Sequence, residues 1–304
     1  MKISKIHFSP YQLKKDSYSL QGALLAFEFD SSLKGYADFL PWPSFGENSL
    51  DQELENIAQG IPSSRFLIAQ KNGWLDAQAR FKKQNLFYGL QIPPSHFLIE
   101  NLEDFNKEKA LSNLNYKYIK IKLLDSSIEK QAEKLKKLVK DLPKNLRFRL
   151  DVGGQKWSVW KKHLAFMKKQ IDFIEDPSLD SQTVNKEDHF AQDWIPNLFP
   201  IKIAKPSRDS LESILQGVAS SRWRKVIFTH SFDHPLGQAA SAFWAAQFYL
   251  RYPSLFEVSG LKCLSFEDNP FYFHKTKDPF FEKPEGLGFG FDRLLSHQDW
   301  ERLV

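Results

Sequence analysis

The sequence predicts an α/β chain in which a barrel of parallel strands and crossover helices follows an α+β segment. Three observations carry this expectation. From about His96 onward, short β-rich runs alternate with longer amphipathic stretches, as repeated strand–helix units require. Eight such runs fit into roughly 165 residues, which suits a closed barrel at the small end of its size range better than an open sheet. The first ~90 residues lack that alternation and mix a β-rich run with two helical patterns, an α+β composition.

Taken in order, Ala23–Phe29 is β-rich, and Ser31-Ser32-Leu33-Lys34-Gly35 supplies turn chemistry after it. Pro41-Trp42-Pro43-Ser44-Phe45-Gly46 must be a loop, since two prolines bracket one residue. Leu50, Leu54 and Ile57 recur at helical spacing, and Ser63 through Phe81 also suits a helix. The later strand candidates are His96–Glu100, Tyr116–Leu123, Leu146–Asp151, Ile171–Glu175, His189–Asp193, Pro200–Lys205, Lys225–Thr229 and Phe256–Leu261. Between the second and third lies an amphipathic helix with Ser126-x-x-Glu129 as capping box. Its apolar face is Ile128, Ala132, Leu135, Val139 and Leu142. Leu211, Ile214, Leu215 and Val218 mark a further helix, and Leu236–Leu250 another.

Composition narrows the function classes. With 42% hydrophobic and 26% charged residues over 304 positions, disordered, collagen-like and low-complexity readings fall away. Twenty-seven phenylalanines supply core area, each buried ring removing roughly 150–250 Å² from water. A single cysteine, Cys263, excludes an intrachain disulfide framework and any CxxC motif. The N-terminus lacks the apolar stretch of a secretory signal, and Ser241–Leu250 is too short to span a bilayer. A soluble, cytoplasmic protein is expected. The net charge of +5 leaves nucleic acid open as a partner at this point.

Tyr116–Leu123 carries the first chemical signal. Strand alternation places Ile119, Ile121 and Leu123 on one face and Tyr118, Lys120 and Lys122 on the other. In a parallel barrel the outer face packs on helices, so the two lysines point inward, where lysines seldom go without a task. Three acids each close a strand candidate: Asp151, Glu175 and Asp193, spaced 24 and 18 residues apart, about one βα step each. Adjacent carboxylates repel unless a cation sits between them, and hard oxygen donors favour Mg²⁺. Asp176 and Asp188 compete for the same roles. Lys205, before Pro206, closes the sixth strand across from the second. Two lysines flanking a carboxylate-held cation suit proton removal next to a substrate carboxylate.

These residues resemble the enolase superfamily, and within it the o-succinylbenzoate synthases. Lys120-Ile121-Lys122 is similar to the family's KxK motif, Asp151, Glu175 and Asp193 to its metal ligands, and Lys205-Pro206 to its sixth-strand lysine. Gly35-Tyr36-Ala37-Asp38-Phe39-Leu40-Pro41-Trp42-Pro43-Ser44-Phe45 resembles the family's capping-domain loop. Val226–Gly237 resembles its seventh-strand segment, and Gly286–Asp292 its return to the cap. The pattern departs from the family at Gly153, at Trp194, in the 12-residue interval from Asp193 to Lys205, and at Pro206–Asp209.

The resemblance implies a TIM-like (β/α)7β barrel with an α+β capping domain formed by the N-terminal segment and the C-terminal tail. The expected limits are 1–93 for the cap, 94–275 for the barrel and 276–304 for the returning segment. It also implies a Mg²⁺-dependent hydro-lyase of menaquinone biosynthesis acting on a small dicarboxylate, with Mn²⁺ as a substitute metal. In that reading Lys122 is the base, Lys205 faces the other side of the ring, and Lys120 helps neutralise the carboxylate. Phe45, Thr229, His230 and Ser231 contact substrate. No nucleic acid, membrane or obligate protein partner is expected.

Two other function classes compete. The same lysine pair would serve N-acylamino acid racemisation or dipeptide epimerisation, whereas the likeness of the capping loop favours the dehydratase. A non-catalytic barrel or basic nucleic-acid binder gains from the charge but lacks basic residues clustered with aromatics in a recognisable motif. His230 and His234 are followed by Pro235 and lack the adjacent glutamate of a zinc helix. The Gly286/Gly288/Gly290 run lacks strand–turn–helix context and marks a tight backbone approach. Lys130–Lys140 reads as a solvated helix face.

Overall fold

The computed structural model describes residues 2–15, 18–30, 32–102, 115–123, 127–140, 142–153, 155–175, 201–204, 226–229, 233–256, 258–262, 270–271 and 278–304. Strands β1 (Ile3–Lys15), β2 (Tyr18–Phe29) and β3 (Lys34–Phe39) form an antiparallel sheet that the chain's last strand, Glu301–Arg302, joins beside β1. Both faces of β2 are buried, which explains its unbroken apolar run. Leu25, Phe27 and Phe29 pack with Leu54, Ile57 and Phe66 of helices α1 (Leu50–Ala58) and α2 (Ser64–Phe81). Leu24 points the other way, into the cluster around the Ala-rich helix over Pro235–Arg251. Ser49 and Ser63 cap α1 and α2, each side chain accepting an N–H three residues on at 3.3 Å.

The sequence reading missed β1 and took Gly35–Phe39 as turn and loop. The turn instead closes at Asp30–Leu33, where Phe29 N–H donates to the Leu33 carbonyl at 2.9 Å, and Gly35 lies within β3 opposite Phe27. Glycine is needed there for proximity rather than for turning. A Cβ on Gly35 would stand 2.0 Å from the Gly73 carbonyl of α2, so strand and helix touch backbone to backbone. Pro43–Phe45, within the expected loop, forms one 3₁₀ turn.

The second layer is parallel. Strands β4 (Phe97–Ile99), β5 (Tyr118–Lys122), β6 (Arg147–Asp151) and β7 (Ile171–Glu175) pair in that order, and β8 (Ile201–Ala204) pairs with β9 (Val226–Thr229). The eighth expected strand, Phe256–Leu261, contributes isolated parallel bridges, Phe256 to Val226, Gly260 to Thr229 and Ser259 to Ser95. These carry the sheet from β9 round to the chain just before β4. The expected strand His189–Asp193, between β7 and β8, and the helix around Leu211–Val218 lie outside the described residues.

Helices cover the outer face. α3 (Ile128–Lys140) buries Ala132, Leu135, Leu138 and Val139 against Ile119, Ile121, Phe148 and Leu150. Its cap is Ser127 rather than Ser126: the Ser127 hydroxyl accepts from Lys130 N–H at 3.3 Å and its carbonyl from Gln131 N–H at 3.1 Å. α4 (Trp157–His163) and a 3₁₀ turn (Ala165–Gln170) lead from β6 to β7. α5 (Pro235–Arg251) follows β9, and a short α6 (Asp292–Leu295) precedes the last strand, β10 (Glu301–Arg302).

Cap, barrel layer and return segment are fastened at two buried groups. Asp76 of α2, fully buried, accepts from Tyr36 N–H at 2.9 Å, Phe289 N–H at 2.7 Å and Arg80 Nε at 2.5 Å. Arg80 also pairs with Asp292, donates to the Gly290 carbonyl at 3.1 Å and stacks on Tyr36. Burial pushes the Asp76 carboxyl up from its ordinary value while Arg80 and the two backbone donors pull against it. His234 is the second group. It caps α5, its Nδ1 accepting from Leu236 N–H at 3.2 Å, and it contacts the rings of Tyr11 in the cap and Phe271. Tyr11 in turn donates to Asp38 of β3. The acceptor role requires neutral imidazole, and burial pushes its pKa down to about 3, Asp233 opposing.

Two outcomes follow from these contacts. Gly288 has φ of +59°, and a Cβ there would lie 1.9 Å from Asp76 Oδ1. Gly288→Ala is expected to cost about 2–3 kcal/mol in urea unfolding; a change within about 0.5 kcal/mol would show that this approach constrains nothing. An imidazole whose native pKa lies below its unfolded value contributes nothing above pH 6.5 and destabilises the native state below it. Wild type should therefore lose about 2 kcal/mol between pH 6.5 and 5 relative to His234→Asn, which retains a capping acceptor. Urea midpoints at the two pH values measure this difference.

Candidate active site at the strand ends

The alternation of β5 holds as expected. Ile119 and Ile121 are buried against α3, and Lys120 and Lys122 take the other face. Parallel pairing then sets rows across the sheet. Lys122 stands opposite Asp151, and Asp151 opposite Glu175, at the carboxyl ends of β5, β6 and β7. Lys120, one layer below, extends upward so that its Nζ lies 3.2 Å from Asp151 Oδ2 and 2.5 Å from Glu175 Oε2. Lys122 Nζ lies 3.9 Å from Glu100 Oε1, just past β4. All these side chains are mostly buried.

The electrostatics explain why this cluster is tolerable. Two carboxylates about 4 Å apart repel by roughly 4 kcal/mol at an effective dielectric constant near 20. A cation touching both reverses the sign of that balance, and the Lys120 ammonium occupies this position. Gly153 N–H adds a donor to Asp151 Oδ1 at 3.3 Å. The donor set is oxygen only, which fits a hard divalent ion such as Mg²⁺ and not zinc. Among the described residues no three His, Cys, Asp or Glu side chains converge as a metal site. The two carboxylates that stand together, Asp151 and Glu175, fit as two ligands.

Other expected residues are placed less completely. Thr229 ends β9, half-buried and bridged to Gly260. Phe45 ends the 3₁₀ turn of the cap. Lys205, Asp193, Asp188, Asp176, His230 and Ser231 lie outside the described residues, as do Trp194 and Cys263. His234 caps a helix, so it is not available as the second histidine of a zinc pair.

Three groups near the site were missed, Glu100, Arg149 and Asp172. Glu100 closes the first strand candidate as Asp151 and Glu175 close theirs, so the same signal was available for it. Arg149 lies fully buried beneath the lysines, opposite Lys120. Its Nε donates to Asp172 Oδ2 at 2.8 Å, its Nη1 contacts His96 Nδ1 at 3.2 Å and the Val258 carbonyl, and its plane rests on Tyr118 and Phe173. Alternation along β6 places Arg149 on the face of Asp151, so it was legible. Asp172 was not. Alternation puts it on the helix side, and only the register shift between Phe148 and Arg149 turns it inward.

Known proteins show the same organisation. Residues 6–79 match the family model for the O-succinylbenzoate synthase N-terminal domain. The o-succinylbenzoate synthase of Bdellovibrio bacteriovorus is 25% identical, with 98% of both chains covered. A muconate lactonizing enzyme superposes with a TM-score of 0.69 at 14% identity, over 98% of this chain and 99% of that one. A dipeptide epimerase from Enterococcus faecalis V583 gives 0.66 at 16% identity, over 95% and 99%. These structural likenesses establish the fold, that of enolase-superfamily barrels with an N-terminal capping domain. Residues 6–79 thus carry an O-succinylbenzoate synthase N-terminal domain, and the chain is similar over nearly its whole length to an o-succinylbenzoate synthase.

Proposed function

We propose that the chain is an o-succinylbenzoate synthase, a hydro-lyase converting 2-succinyl-6-hydroxy-2,4-cyclohexadiene-1-carboxylate to o-succinylbenzoate in cytoplasmic menaquinone biosynthesis. The observation that carries this is the row Lys122–Asp151–Glu175 at the strand ends, with Lys120 bridging the two carboxylates. The architecture that goes with it is a (β/α)7β barrel over 94–275, capped by 1–93 and the returning segment 276–304. Family members typically use Mg²⁺, and Asp151, Glu175 and Asp193 would hold it here, with Mn²⁺ as a substitute. Bound there, the ion supplies positive charge for a substrate carboxylate whose α-carbon is losing a proton.

The chain's own groups perform the proton transfers. Lys122, as the free amine, removes the proton from the ring carbon bearing the carboxylate. The resulting ammonium then gives that proton to the C6 hydroxyl on the same face. The C–O bond breaks, water leaves, and the ring becomes aromatic. Lys205 faces the opposite side of the ring as a cation. Lys120 keeps the two carboxylates together and neutralises them, while Phe45, Thr229, His230 and Ser231 bound the substrate. The substrate is a small dianion, so the inward lysines supply part of its binding.

Purified protein incubated with the cyclohexadiene substrate should form o-succinylbenzoate with Mg²⁺, lose activity with chelator and regain it on adding Mg²⁺ back. No product in any metal condition would sink the assignment, and deuterium exchange into N-succinylamino acids without dehydration would redirect it to racemisation. Lys122→Ala should lower kcat by at least about 10²–10⁴-fold with the urea midpoint unchanged. Retained turnover would remove Lys122 as the base.

A further inference from the structure

Positive charge is concentrated on one part of the molecule. Ser127 to Gln170 carries eleven lysines and two arginines against four acids, a net of +9, whereas the whole chain is only +5. Within that stretch Arg149 and Asp151 face the sheet interior and cancel, so the excess belongs to the outer layer.

The fold gathers this charge at one end. α3 runs from the carboxyl end of β5 back to the start of β6, and α4 with its 3₁₀ turn from β6 back to the start of β7. α4 itself lies beside the first turn of α3, where His163 Nε2 is 4.0 Å from Glu129 Oε1, and it is the last turn of α3 and the 3₁₀ turn that reach the amino ends of the strands, opposite Lys122, Asp151 and Glu175. Lys140, Lys144, Arg147, Lys168 and Lys169 are exposed at this end, beside Lys137, which pairs with Glu133 at 3.0 Å. Arg147 Nη1 donates to the Lys169 carbonyl and ties the two loops together. Helix dipoles favour a cation or two at each carboxyl end, but Ser127–Gln170 carries nine more cations than its own acids can neutralise, which makes this outer layer attractive to anions. Within the same turn Phe166 is 41% exposed, a large apolar ring flanked by lysines.

The geometry points to this rim as a peripheral docking surface for anionic lipid headgroups. Four to eight Lys/Arg grouped on a surface recognise acidic lipids. The lysine stems lie along the interface while their ammonium groups reach phosphates, and an aromatic ring inserts among the headgroups. A nucleic acid would call for a stripe that tracks the backbone with several stacking rings, and Phe166 is the one large apolar side chain exposed between α3 and β7 among the described residues. Among the described residues no helix is long and apolar enough to cross a membrane, so the contact is peripheral. This revises the expectation of no membrane partner, which rested on the absence of a spanning segment. Docking by this rim leaves the strand ends and the cap, which meets α5 at its N-terminus, facing water. The inference is independent of the reaction proposed above.

Co-sedimentation of the full chain with vesicles tests it. Binding is expected to phosphatidylcholine vesicles containing about 30% phosphatidylserine and not to pure phosphatidylcholine, with release as salt rises from about 0.05 to about 0.5 M. Replacing Lys140, Lys144, Lys168 and Lys169 together by Glu should lower the bound fraction at least about 10-fold. The milder Lys144→Gln/Lys168→Gln/Lys169→Gln variant, with wild-type urea midpoint, should lower it several-fold. Phe166→Ala should weaken vesicle binding while leaving its salt dependence in place. Absence of binding to the anionic vesicles, binding unchanged in the lysine variants, or tighter binding to random duplex DNA than to vesicles in the same buffer would each overturn it.

Discussion

The register of three parallel strands holds the site together. Lys122, Asp151 and Glu175 share a row because β5, β6 and β7 pair without slippage at their carboxyl ends. A one-residue slip of β6 would send Asp151 and Arg149 into the helix layer and bring Phe148 and Leu150 inward. The apolar side chains prevent this: Ile119, Ile121, Phe148 and Leu150 are wholly buried against α3 and its neighbours. The site's geometry is therefore a by-product of hydrophobic packing on the opposite face. The one register shift, opposite Asp172, lies below the row and leaves it intact. It brings a carboxylate to Arg149 and so supplies a counter-charge to a cation buried beneath two lysines.

Position along the sheet separates the chemistry by depth. Arg149, stacked between Tyr118 and Phe173, plugs the interior, and Lys120 passes its charge upward to Asp151 and Glu175. Above them the cap is fixed by groups far from the reacting atoms. Asp76 draws β3, α2 and the return segment to one carboxylate, and the Tyr11–Asp38 and Tyr11–His234 contacts hold β1 and β3 beside the start of α5. Since α5 follows the strand that ends in Thr229, seating of the cap and placement of that strand end are coupled.

Much of this was legible in the residues. Alternation along β5 identified the inward lysines, and strand-closing acids identified Asp151 and Glu175; consistent use of that rule would also have found Glu100. The helical faces of α1 and α3 followed from spacing alone, and Leu236–Leu250 was legible as a helix without a defined face. What escaped has definable causes. β3 looked like a loop because Gly35 serves a strand–helix approach rather than a turn. β1 escaped because its lysines, serines and Pro10 weaken the apolar alternation that marks a strand. The cap of α3 moved by one residue between two adjacent serines, a choice that propensity does not make. Asp172 depended on a bulge, and bulges arise from tertiary fit rather than local pattern. The net charge was legible as a number, but its meaning was not: inward lysines account for a small part, and most of the excess sits on one outer rim.

Strand register brings Asp151 and Glu175 together on Lys120, and this is the pair proposed above to hold a divalent ion. Calorimetric titration of Mg²⁺ into the full chain, compared with Glu175→Gln, addresses it without any substrate. One saturable ion per chain is expected for wild type, with affinity at least about 10-fold weaker in the variant and urea midpoints alike. Equal affinity in the two proteins, or no saturable binding to wild type, would contradict it.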